Sequence, residues 1–137
     1  MIGTLIDTLH QGGHSCVIHN NGETRTFHQR GVADLWTLCQ GNDAFLNGAL
    51  IADKVVGKGA AALMICGGVK EVYADVISTP ALTLLRAHGI RVTFLAETDR
   101  IINRQGDGLC PVETRCLQLQ SVEQMHEEIS KFINKNR

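Results

Sequence analysis

The stretch that most constrains this chain is residues 71–95. Val72, Tyr73, Val76 and Ile77 are strand formers in a nearly unbroken apolar run, the pattern of a strand covered on both faces. Thr79-Pro80 follows as a helix start, with Thr as cap and Pro at the first position. Leu82 and Leu85 carry an apolar stripe to His88-Gly89, and residues 90–95 read as a second strand. A strand, a helix and another strand in this order imply parallel pairing with a right-handed crossover. The chain therefore needs a sheet with helices packed against it.

The flanking segments fit that demand. Ile2, Leu5, Ile6 and Leu9 recur at helical spacing and stop at Gly12-Gly13. Residues 15–20 and 23–28 read as an antiparallel pair about Asn20-Asn21-Gly22, because Asn and Gly accept the positive φ of a tight hairpin turn. Val32, Leu35, Trp36 and Cys39 form a helical stripe closed by Gly41. Periodicity assigns no state to residues 42–52. From Asp53 a helix is expected through Val56, Ala60, Leu63 and Met64 to Gly67-Gly68, thinned by Gly57 and Gly59. Residues 99–108 read as a loop and residues 112–119 as a short helix. Ser121-x-x-Gln124 is a capping box opening a terminal helix striped by Val122, Met125, Ile129, Phe132 and Ile133. The expected architecture is a mixed sheet between helices, a three-layer α/β/α sandwich, formed as one domain over residues 1–137.

Composition narrows the function classes. Hydrophobic residues make up 44% of the chain, enough for a packed core. Lys and Arg total 13 against 14 Asp and Glu, so no basic field exists for wrapping an extended nucleic acid. No apolar run approaches the ~20 residues of a membrane span, and residues 1–5 lack the features of a secretory signal. A cytoplasmic protein is expected. The five cysteines are odd in number and none are at C-x2-C spacing, which suits a reducing compartment. Cys16, Cys39 and Cys66 read as inert buried thiols.

Two clusters carry chemistry. In Asp53-Lys54-Val55-Val56-Gly57-Lys58-Gly59, Asp53 would cap the helix, and Lys54 and Lys58, four apart, would share a face beside free N–H groups that attract an anion. The absence of a Ser or Thr after Gly57-Lys58 excludes a phosphate-binding P-loop. The second cluster runs from Ile101 to Glu113. Asn103 and Arg104 offer an amide and a bidentate guanidinium, Cys110 a thiol at a loop-to-helix junction, and Glu113 a proton donor or acceptor. Metal ligation has little support: Gly12-Gly13 breaks the helix that would align His10 with His14, and Cys110-x5-Cys116 is not a zinc spacing. His19 and His28 lie in the hairpin strands, where they could face each other but read as ordinary sheet-surface residues. No cofactor is expected.

The motifs Ala52-Asp53-Lys54-Val55-Val56-Gly57-Lys58-Gly59-Ala60-Ala61-Ala62, Gly68-Val69-Lys70-Glu71-Val72-Tyr73-Ala74, Ile101-Ile102-Asn103-Arg104 and Gly108-Leu109-Cys110-Pro111-Val112-Glu113 resemble those of the prokaryotic family called domain of unknown function 1893. The resemblance spans nearly the whole chain and implies a cytidine deaminase-like topology. Zinc deaminases carry His/Cys-x-Glu at one helix start and Pro-Cys-x-x-Cys at another. The corresponding places here, residues 53–57 and Ser78-Thr79-Pro80-Ala81, hold neither motif. Zinc-dependent deamination therefore loses its support.

Three function classes follow. The first is metal-independent binding of an anionic small molecule, a nucleotide or other phosphorylated metabolite, by Lys54, Lys58, Asn103 and Arg104. The second is an enzyme with Cys110 as nucleophile, assisted by Glu113 and Asp53. The third is a structural or interaction protein with a vestigial crevice, for which a homodimer stays open. The helix at Asp53 and residues 103–113 are expected to meet in one crevice, where strand ends face helix starts.

Overall fold

A computed structural model describes residues 1–28, 32–41, 44–102 and 110–135. The chain runs α1 (Ile2–Gln11), β1 (Cys16–Asn20), β2 (Glu23–Phe27), α2 (Ala33–Gln40), β3 (Leu50–Val56), α3 (Lys58–Gly67), β4 (Glu71–Ser78), α4 (Thr79–Ala87), β5 (Arg91–Thr98), α5 (Pro111–Cys116) and α6 (Val122–Lys135).

The five strands form one mixed sheet in the order β2-β1-β3-β4-β5. β1 runs antiparallel to both β2 and β3, whereas β3, β4 and β5 are mutually parallel. The hairpin turn is as expected: Asn21 and Gly22 take φ of 52° and 76°. β4, α4 and β5 also take their expected places. The capping box forms, with the Gln124 N–H donating to Ser121 Oγ at 3.1 Å and the Ser121 N–H donating back to Gln124 Oε1 at 3.4 Å.

Strand alternation divides the core. Val17, Ala52 and Tyr73 point to one face and pack on Leu5 and Leu9 of α1. Cys16, Ile18, Ile51, Val72 and Ala74 point to the other, where the larger cluster gathers side chains from α2 to α6. The result is a sheet with helices on both faces, the layered arrangement expected. α3 lies at the centre of the thicker layer. Its Ala60, Ala61 and Ala62 are buried, and it packs against α2, α4, α5 and α6.

Two expectations are corrected. Residues 50–56 are a central strand, so Asp53 and Lys54 lie within β3 and α3 begins only at Lys58. Ile51 and Ala52 are buried on opposite faces of β3, so no alternation announces it, and Asp53 resembles a helix cap in sequence. Second, the cap of α4 is Ser78, whose Oγ accepts from the Ala81 N–H at 3.2 Å. On the hairpin surface, His28 meets His14, with ring nitrogens 3.2 Å apart, while His19 bonds Thr24.

Candidate functional site

β3 and β4 end where α3 and α4 begin, and the free N–H groups of a helix start favour negative charge. The anion at the start of α3 is supplied by the chain itself. α5 delivers the carboxylate of Glu113, 2% exposed, into the gap between the strand ends. Its Oε2 accepts from the Lys58 N–H at 2.7 Å and from the Ser78 hydroxyl, and Oε1 accepts from the Ile101 N–H at 2.8 Å. The Cys110 N–H donates to the Ile101 carbonyl at 2.8 Å. Ile101 is thereby tied through one group to Glu113 and through the other to Cys110.

Glycine makes this approach possible. A Cβ on Gly57 would stand 3.2 Å from both Glu113 Oε2 and Ile101 Cγ1. One on Gly59 would stand 2.4 Å from Val112 Cγ1, closer than packed atoms allow. The thin start of α3 is thus the seat of α5.

Lys58 joins this arrangement without offering its charge to solvent. Its Nζ donates to the carbonyls of Leu117 at 3.0 Å and Leu119 at 3.3 Å, fastening the turn between α5 and α6. Nearby Cys116 is fully buried, and burial pushes its thiol up to about 11 against the pull of Lys58.

The remaining predicted residues separate. Asp53 stands beside Cys16 in the β1–β3 register. Burial pushes its carboxyl up to about 7, opposed by hydrogen bonds from the Val55 and Lys54 N–H groups and from the Cys16 thiol. Cys16 rises well above the ordinary thiol range because it too is buried and faces Asp53. Lys54 is exposed and falls by alternation on the same face as Ala52, where α1 packs. That is the opposite face from Val112 and Cys116 of α5. Cys110 is half-buried at the N-cap of α5. Asn103 and Arg104 lie outside the described residues. The structure therefore brings Lys58, Cys110 and Glu113 together, adds Ser78 and Ile101, and leaves Asp53 and Lys54 in the sheet.

Ser78 escaped sequence reading because Thr79-Pro80 looked like a complete helix start without it. The pairing of Gly57 and Gly59 with a Glu in a short helix was the available signal. Among the described residues, no group of three or more His, Cys, Asp or Glu side chains is placed to hold a metal ion. No described helix is long and apolar enough to cross a membrane.

Comparison with known proteins supplies the context. A solved structure of a DUF1893 family protein, TM1506 from Thermotoga maritima, superposes with a TM-score of 0.85 at 22% identity, covering 95% of this chain and 88% of that one. No curated protein matches the chain. The family described as a domain of unknown function, DUF1893, matches residues 4–133. With that match running nearly from end to end, the chain belongs to the DUF1893 family.

Proposed function

We propose that this protein binds an anionic small molecule without a metal, on a cytidine deaminase-like frame acting as a single domain. Two features support the frame: the strand order β2-β1-β3-β4-β5, and the start of α3 and α4 at the ends of neighbouring parallel strands. Those are the places where zinc deaminases carry their metal-binding motifs. Here they present Gly57, Gly59 and Ser78, with a carboxylate of the chain between them.

The observation that carries the binding reading is the tie between Ile101 and Cys110 at the Glu113 carboxylate. It anchors both flanks of the sequence containing Asn103 and Arg104 at the strand ends. A guanidinium suits a phosphate or carboxylate, which it can meet with two parallel hydrogen bonds. Lys54, on the far face, and Lys58, engaged with carbonyls, contribute less than their sequence spacing suggested. The enzymatic alternative, Cys110 as nucleophile, is the weaker one, because both oxygens of Glu113 already accept hydrogen bonds.

Calorimetric titration with inorganic phosphate, a nucleoside monophosphate and a nucleoside triphosphate tests the proposal. Binding of at least one is expected, and Arg104→Ala should weaken it roughly tenfold, the worth of one charge-assisted pair. Absence of heat with all three, or unchanged affinity in the variant, overturns it. That outcome favours the second reading, a structural or interaction protein. The internal satisfaction of Glu113 and Lys58 is the observation on that side.

A further inference from the structure

The far end of α3 carries a second feature, unrelated to the Glu113 region. A pocket of about 390 Å³ opens there, lined in part by Leu38, Cys39, Leu46, Asn47, Cys66 and Gly67. Of its two thiols, Cys66 is exposed and Cys39 half-buried, which corrects the expectation that both are inert and buried. The Cys39 thiol donates to the Leu63 carbonyl at 3.2 Å. Cys66 stands three residues further along α3, and helical side chains lean toward the helix N-terminus. Cys66 thus stands one turn from the carbonyl that holds Cys39, and both residues line the same pocket. The electrostatics of Cys39 agree: after burial, the neighbouring Cys66 pushes it up, to about 11, whereas Cys66 itself is raised by burial and by Glu123.

We propose that Cys66 and Cys39 form a thiol–disulfide exchange site for a low-molecular-weight disulfide. The exposed Cys66 thiolate attacks one sulfur of the small disulfide and breaks its S–S bond. One small thiolate leaves and takes up the proton that Cys66 lost. The Cys39 thiolate then attacks the Cys66 sulfur and expels the second small thiol. The two protein thiols are oxidised to one disulfide, and the small disulfide is reduced to two thiols. The pocket gives the incoming molecule room beside Cys66, and the product ties α2 to the last turn of α3.

Burial raises both thiols, so the thiolate fraction is small at neutral pH. The first step should accelerate about tenfold per pH unit until Cys66 ionises. The test is incubation of the reduced full chain with glutathione disulfide, followed by intact-mass analysis and peptide mapping without reductant. The expected product lacks two hydrogens and joins the Cys39 and Cys66 peptides. Cys39→Ser should stop at a glutathione adduct on Cys66, and Cys66→Ser should give neither product. A lasting adduct on Cys66 in the unaltered chain, or a disulfide joining other cysteines, overturns the proposal.

Discussion

At its first turn α3 receives a carboxylate from another part of the chain, and both oxygens of that carboxylate accept hydrogen bonds. The helix is ten residues long, and beside its last turn two thiols border an open pocket. Both ends are built with glycine. At the first, Gly57 and Gly59 let α5 descend onto the helix. At the last, a Cβ on Gly67 would stand 2.6 Å from Leu46, so glycine there lets the segment after α2 approach. The first end spends its capacity for an anion on internal cohesion, while the second leaves reactive groups within reach of solvent. Position beside a sheet does not by itself make a site; what the neighbouring segments bring to it decides.

The strongest way to break this contrast is to remove the internal anion. Glu113→Ala leaves the Lys58 and Ile101 N–H groups and the Ser78 hydroxyl without their acceptor, and should cost about 3–5 kcal/mol in urea unfolding. Glu113→Gln keeps the shape but turns a donor toward donors, and should cost about 2 kcal/mol. A loss below about 1 kcal/mol for the alanine variant would mean that the first end of α3 is open after all.

The role of glycine is tested by Gly59→Ala. Against Val112 the added methyl should destabilise by about 1–3 kcal/mol. In a Val112→Ala background the obstacle is gone, and the same change should stabilise by about 0.5–1 kcal/mol through helix propensity. Equal effects in both backgrounds would show that Val112 does not set the spacing.

Asp53 sharpens the comparison from another side, because it is a carboxylate with poorer compensation. Its carboxyl rises from 3.8 to about 7, chiefly through burial. Between those values the folded chain holds a proton that the unfolded chain has released, so this group's contribution to stability falls as pH rises from about 4 to 7. Asp53→Asn should flatten that slope and raise stability above neutral pH by about 1–2 kcal/mol. Unfolding midpoints measured across the same window would show an unchanged slope if Asp53 ionises freely in the folded state.

Much of the frame was legible because its signals are local. Asn21-Gly22, Thr79-Pro80 and Ser121-x-x-Gln124 each mark an element boundary within a few residues. The helical stripe of α1 likewise announced the face that meets Val17 and Ala52. β3 was not legible, since a strand covered on both faces shows no alternation and its Asp53-Lys54 pair resembles a helix start. The Glu113 arrangement was legible only as a cluster of interesting residues. Its partners Ile101, Ser78 and Lys58 lie 12, 35 and 55 residues away in sequence, and no periodicity connects them. Exposure of Cys66 escaped for a related reason. Apolar neighbours in sequence placed it in the core, although it lies exposed in the last turn of a buried helix.

The position of α5 in the chain gives synthesis a direction. β3, α3, β4, α4 and β5 all precede it, so every strand of the parallel half of the sheet is synthesised before Glu113. Until then the first N–H of α3 and the hydroxyl of Ser78 face water. Arrival of Pro111–Cys116 is the event that dries this corner.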